Sequence, residues 1–359
     1  MSENNSQYNP HLDLPDLQIV ENNKTIGSGS FGKVDQFQTA LQSEELVIPI
    51  KNKATKTFDI SRGTEFFQQE LRVMKHLKQM ANKYYPHFYE SHSNEKNGTI
   101  VMERIDGIGL LGIAPDPNGE VILDLAVKLA EAIHQTQIDG AVDIDTKLDS
   151  YKLIVNSEGV PIKIRLVDMG LFFIGDEKEI KVPTNFINPD IFDLAPEVRE
   201  YAGVENQTAS FDAEKLAVHN LGYILITIIS PPLFWFNHIN SYENDGVFNR
   251  KKFEEDILYI AEKKGIPPLD LNNQRVVEII DLIESMLNVN PKSRPNFTEI
   301  LQKLKDLKGD EKPIPCIIPK AVEKMSKRQL APNREYVVNE KQVMDKIKAA
   351  FSGENNNLS

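Results

Sequence analysis

Ile26-Gly27-Ser28-Gly29-Ser30-Phe31-Gly32-Lys33-Val34 is the stretch whose reading decides the fold. It lies between two strand-like segments, Ile19-Val20 before it and Lys33 to Gln38 after it. Glycines at 27, 29 and 32 allow a tight turn and close backbone approach, so its N–H groups can cover phosphates. Taken alone, the pattern also fits a plain glycine-rich hairpin. A dinucleotide-binding turn would open a helix straight after its last glycine, and a Walker loop would need Gly-Lys-Ser/Thr. Neither is present here.

Outward from this loop the text stays strand-like to Glu103, with one interruption. Leu46 to Ile50 is apolar and ends at Lys51, an ammonium that could bind nucleotide phosphates if a carboxylate held it. Thr64 to Met80 changes period: Phe66, Phe67, Leu71, Met74 and Leu77 share one helical face, and Glu70 lies beside it. Thr99 to Met102 is a further apolar strand. Beyond Asp106-Gly107 the spacing is mostly helical, over 121–138, 212–229, 251–263, 274–287 and 297–307, with short strands at Leu153 to Val155 and Ile162 to Val167. Two acidic sites stand out, Asp143-Ile144-Asp145-Thr146-Lys147 after a helix and Asp168-Met169-Gly170 after a strand. Each alone is commonly a turn. Beside a glycine-rich loop and a lysine, they supply what phosphoryl transfer requires: a metal-binding carboxylate, a carboxylate facing the nucleophile, and cations for the migrating group.

The composition narrows the setting. With 41 Lys+Arg against 53 Asp+Glu the net charge is −12, which disfavours a general nucleic-acid binder. The single cysteine, Cys316, excludes an internal disulfide or a thiolate zinc site, and the histidines show no metal-ligand pairing. The opening residues carry no signal-like run and no apolar stretch is long enough to span a bilayer, so the expectation is a soluble cytoplasmic protein. The style of the sequence also fits one delivered into a host cell by an intracellular bacterium.

In order, these elements resemble the eukaryotic-like protein kinase family: glycine loop, strand lysine, helix glutamate, Val101-Met102-Glu103, loop aspartate, Asp-x-Gly, Ala195-Pro196-Glu197 and a final Arg294-Pro295. The resemblance runs from about Gln18 to Leu307. It implies an α+β bilobal fold, with a small β-rich lobe with one helix (18–103), a hinge (103–107) and a larger helical lobe (108–308). A polar tail (1–17) would precede it. A tail with one amphipathic helix (309–359, with Val343, Ile347, Ala350 and Phe351) would follow and could dock a regulatory partner.

The implied activity is transfer of the γ-phosphoryl of ATP, with Mg²⁺ or Mn²⁺, to serine or threonine hydroxyls of a protein substrate. The resemblance places Ile26, Gly27, Ser28, Gly29, Ser30, Phe31 and Gly32 over the phosphates and Val34 on the adenine. Lys51, paired with Glu70, would hold the α- and β-phosphates. Met102 would back the pocket, and backbone groups of Glu103 and Ile105 would bond the adenine edge. Asp168 would hold the metal, and Asp145 would receive the hydroxyl proton. Lys147 would steady the γ-phosphoryl, its Asp-x-Lys spacing being the serine/threonine form. Glu197 and Arg294 would form a buried structural pair.

Several positions depart from the pattern. Asp143 and Ile144 replace the usual His-Arg, Met169 replaces phenylalanine, Ala217 replaces an acid that steadies the catalytic loop, and Pro49 replaces a small residue over the adenine. The second metal ligand falls to Asp149 or Ser150; a Lys152 in that place would repel the ion. Loss of the arginine, with Thr184 the only hydroxyl between Gly170 and Ala195, argues against a phosphate switch in that loop. These departures also suit a different class, a pseudokinase that binds nucleotide and signals by shape.

Overall fold

The computed structural model describes the chain from 18 to 309, apart from 30–31, 43–46, 62, 81, 111–112, 114–116, 157, 189–193, 230–242, 245–246 and 265–267. The expected tails, the C-terminal amphipathic pattern, Ser30 and Phe31 lie outside the described residues.

The first part is an antiparallel sheet of β1 (Gln18–Gly29), β2 (Gly32–Gln42), β3 (Val47–Asp59), β4 (Phe88–Ser93) and β5 (Asn97–Glu103), in the order β1-β2-β3-β5-β4. Gly29 pairs with Gly32 and Gly27 with Val34, so the glycine stretch is the β1–β2 hairpin, with a register shift between Thr25 and Gly27. Helix α1 (Glu65–Met80) packs on this sheet through Phe67, Leu71, Val73, Met74 and Leu77, the apolar face its spacing dictates.

The chain then passes through β6 (Ile108–Gly109) into α2 (Glu120–Ile138), β7 (Ala141–Asp143), β8 (Tyr151–Val155), β9 (Pro161–Leu166), β10 (Phe172–Ile174) and β11 (Glu179–Pro183). Helix α3 (Pro196–Arg199), β12 (Thr208–Asp212) and α4 (Ala213–Ile229) follow. After β13 (Glu243–Asn244) and β14 (Val247–Phe248), helices α5 (Arg250–Lys264), α6 (Gln274–Met286) and α7 (Phe297–Lys308) complete the described chain. Helix α4 is buried on nearly every side, as its apolar sequence demands; α2 and α6 pack against it, and α7 packs against α2 and α6. An Asn296–Glu299 capping box fixes the start of α7. The helical periods read from the sequence match these helices to within a residue or two. No helix among the described residues is long and apolar enough to cross a membrane.

Candidate active site

Strand β3 alternates where the site begins: Ala54, Lys56 and Phe58 are buried, while Lys53, Thr55 and Thr57 are partly exposed. The Lys56 ammonium lies 2.6 Å from Glu70 Oε2 of α1 and 2.8 Å from Asp168 Oδ1. This corrects the expectation for Lys51. Glu70's partner is Lys56, and the Lys51 backbone pairs with Thr39, roughly 17 Å further up the same strand at 3.3–3.4 Å per residue. Pro49 is displaced from its expected place for the same reason. The small residue beside the lysine is Ala54, paired with Met102 across the sheet.

Burial opposes the charge on Lys56, but Glu70 and Asp168 outweigh it and hold the ammonium protonated. Burial also pushes the Glu70 carboxyl up to about 7, against the pull of Lys56. The two fit together above that pH, where Glu70 is ionised and the pair complete. Burial likewise acts against Asp168, yet Lys56, the Gly170 amide (3.1 Å) and Lys147 bring its carboxyl below the usual range. Asp168 is therefore an ionised carboxylate, half exposed to the cleft.

Helix α1 is held in this engaged position by more than the ion pair. Gln69 donates to the Phe172 carbonyl at 2.6 Å, and Phe66 meets Phe186 edge-on, which in turn meets Phe173. The segment after Asp168 is ordered by β11, which pairs with β12 from Glu179↔Asp212 to Pro183↔Thr208. Thr184 is buried there, its hydroxyl accepting from the Gln207 amide and donating to the Gln207 carbonyl. Thr184→Ala is expected to retain phosphate transfer within about threefold of the parent, since one neutral hydrogen-bond pair contributes about 1 kcal/mol. A radiolabel transfer assay checks this, and abolished transfer would contradict it.

Strand β7 pairs with β10, which brings Asp143 opposite Phe172 and the catalytic-loop residues against Asp168-Met169-Gly170. The substitution of Asp143 for histidine acquires a physical account. Its Oδ1 accepts the Asp145 amide at 3.0 Å, and its carbonyl accepts from Asn220 of α4 at 2.6 Å. Burial, then the nearby Asp145 charge, pushes the Asp143 carboxyl well above its ordinary range. An uncharged acid can sit in this core where a carboxylate could not. Ala217 lines a small void beside Asp143, and Asn220, one turn further along α4, grips the loop instead. Met169 is buried in the core as an apolar filler. Asp145 is buried with its carboxylate on the ammonium of Lys147, whose side chain is about half exposed.

Strand β8 opens at Tyr151 directly after the short 3₁₀ turn Leu148–Ser150. The Ser150 carbonyl accepts the Val167 amide at 2.8 Å, which sets Ser150 beside the residue preceding Asp168. Asp149 is exposed one residue earlier, in the field of Lys147 and Lys152. Lys152 lies within β8, paired across to Arg165.

At the hinge, Met102 is buried, and Ile105 makes no backbone hydrogen bond among the described residues, leaving its edge available. The Glu103 carboxylate accepts from Arg165 at 2.8 Å and from the His87 amide at 3.1 Å, so this side chain is structural. Val34 packs partly buried against the core. Remote from the cleft, Arg294 is wholly buried and makes a two-pronged contact with Glu197 at 2.6 and 2.7 Å. Arg165, Gln69 and Asn220 were not foreseen. Each joins segments far apart in the chain, and no local pattern marks it.

The protein kinase domain family model matches residues 20–304, and the chain belongs to that family. Serine/threonine-protein kinase cds1 of Schizosaccharomyces pombe is 27% identical over 293 residues, covering 78% of this chain. The chain spans 56% of that relative's length. The kinase domain of Mycobacterium tuberculosis PknI, solved as a double mutant, is 16% identical with a TM-score of 0.48, covering 82% of this chain and 96% of that one.

Proposed function

We propose that this chain is an ATP- and Mg²⁺-dependent protein kinase acting on serine or threonine hydroxyls of a protein substrate. The observation that carries this reading is the Lys56 ammonium bridging Glu70 on α1 and Asp168 across the cleft. Lys56, in place of Lys51, holds the α- and β-phosphates. The backbone of Gly27, Gly29 and Gly32 covers them, and Met102 to Ile105 receives the adenine.

The residues present suit Mg²⁺: the ionised Asp168 carboxylate, with the Ser150 hydroxyl or the Asp149 carboxylate, would supply hard oxygen donors to hold it. When bound, the metal neutralises charge on the phosphates. Asp145 orients the substrate hydroxyl and receives its proton as the new O–P bond forms and the bond to the β-phosphate oxygen breaks, releasing ADP. Lys147 leaves Asp145 to follow the γ-phosphoryl. The Asp-x-Lys spacing and the similarity to a serine/threonine-protein kinase support the hydroxyl preference.

The test is transfer from labelled ATP to the chain itself and to a generic protein substrate, with Mg²⁺ or Mn²⁺. Transfer is expected, and Asp168→Ala and Asp145→Ala each abolish it. Nucleotide that raises the melting temperature without any transfer would replace this reading with a nucleotide-binding scaffold, the reading that Asp143, Ile144 and Met169 favour.

A further inference from the structure

Strand β8 turns two different faces to its surroundings. Tyr151, Leu153 and Val155 are buried in the core, while Lys152 and Ile154 are half-buried on the opposite face. That face looks toward the hinge, because Arg165, the cross-strand partner of Lys152, reaches Glu103 on it, while the segment after the hinge runs beside the strand as β6, with Ile108 paired to Leu153 and Gly109 to Lys152. Both glycines of this segment leave the lysine room. A side chain at Gly107 would have its Cβ 3.0 Å from Lys152 Cβ and 2.9 Å from Ile154 Cδ1. At Gly109 the nearest neighbour would be Lys152 Nζ itself, at 3.9 Å.

Two basic residues share this face, since Lys152 and Arg165 are direct cross-strand partners. Their situations differ. The Arg165 guanidinium is taken up by Glu103 and the Tyr85 carbonyl. Lys152 has no carboxylate within ion-pair distance among the described residues. Its own strand leads directly back to Ser150, which is bonded to Val167 beside Asp168. Lys152 therefore stands between the hinge and the phosphate end of the cleft.

We infer that Lys152 is a specificity-determining residue of the nucleotide site, its ammonium donating to the ribose hydroxyls of the bound nucleotide. This rests on the kinase reading, which sets the base at the hinge and the phosphates at Lys56 and Asp168. The sugar must then occupy the interval that Lys152 faces. Its hydroxyls offer neutral acceptor oxygens to an ammonium that has three donors and no carboxylate at ion-pair distance among the described residues.

The test measures binding of ATP and of 2′,3′-dideoxy-ATP by calorimetry to the parent protein, Lys152→Leu and Lys152→Arg. The parent is expected to bind ATP about tenfold more tightly than the dideoxy analogue, as a charged hydrogen bond allows. Lys152→Leu loses that advantage by weakening ATP alone, and Lys152→Arg keeps most of it. A parent that binds both nucleotides equally overturns the inference without recourse to any variant. So does a Lys152→Leu protein that weakens both nucleotides equally, or neither. A parent that binds no nucleotide overturns the kinase reading itself.

Discussion

Lys56→Met is expected to lower kcat/KM for ATP by at least about a hundredfold, while Lys51→Met leaves it within about threefold; a preorganised charge on the transferring phosphates commonly contributes several kcal/mol. The asymmetry follows from geometry. Lys56 touches both Glu70 and Asp168 at charge-assisted hydrogen-bond distance, its own ammonium buried. Methionine keeps the stem and removes the charge, so the strand and the packing of Phe58 should persist. The pH profile offers a second readout. Glu70 is raised to about 7 from the 4.5 of an ordinary glutamate, so acidification through about pH 7 protonates it and weakens the tie between Lys56 and α1, leaving Lys56 on Asp168. The parent rate should fall over that window. For stability the sign is opposite: a carboxyl raised in the folded state contributes stability below its unfolded value, and loses it as pH rises through the folded one. Without Lys56 the Glu70 carboxyl rises further, so Lys56→Met should be least destabilised at acid pH. Transfer rates across pH 6–9 and melting curves over pH 5–9 measure both. Equal loss of activity in the two lysine variants would sink the reassignment.

The reason the sequence misled at Lys51 is specific. Ile48-Pro49-Ile50 is the conspicuous apolar run, and a lysine follows it at once. The half of β3 that builds the site reads Lys53-Ala54-Thr55-Lys56-Thr57-Phe58, in which threonines and lysine hide the buried face. Only alternation at period two, with Ala54 and Phe58 flanking Lys56, carries the signal, and it is weak when the buried member is charged. By contrast Glu70, Asp145, Lys147 and Asp168 were legible because each sits in a local motif, and the structure brings three charged groups, Lys56, Glu70 and Asp168, into direct contact. The α1, α2, α4, α6 and α7 spans were legible from period 3.6 alone. The β11–β12 pair was not, since it joins two short segments by backbone bonds that any side chain permits.

The altered catalytic loop shows how a departure from pattern can be absorbed locally. A charged aspartate in place of histidine would be costly in a core, but the loop supplies the Asp145 amide as donor and burial keeps Asp143 uncharged. With alanine at position 217, Asn220 grips the loop from α4 by donating to the Asp143 backbone carbonyl. The same three segments, β7, β10 and α4, thus remain joined by different atoms. These contacts keep Asp145 near Lys147 and the Asp168 turn, which is the condition for chemistry rather than evidence of its rate.

Breaking the Glu197–Arg294 pair is expected to have the largest effect on stability. Arg294 is entirely buried, donates to the Asn288 and Lys215 carbonyls as well as to Glu197, and its own carbonyl accepts from the Lys215 ammonium. Glu197→Ala removes the one carboxylate on this guanidinium among the described residues and leaves a buried positive charge, at a cost of about 3–5 kcal/mol. With an unfolding entropy of about 2.1 cal/mol/K per residue in a domain of about 290 residues, each kcal/mol costs about 1.6 °C, so the melting temperature should fall by about 5–8 °C. Glu197→Gln keeps an oxygen acceptor and should recover part of the loss. Arg294→Met combined with Glu197→Leu removes both charges, leaving only the two carbonyls without their donor, and should be milder than Glu197→Ala. That order separates an uncompensated charge from simple loss of contacts, which would make the double variant the worst. Since the pair lies away from the Lys56–Asp168 cleft, KM for ATP measured well below the melting transition should stay within about threefold of the parent. A large rise in KM there would place the pair in the nucleotide site after all.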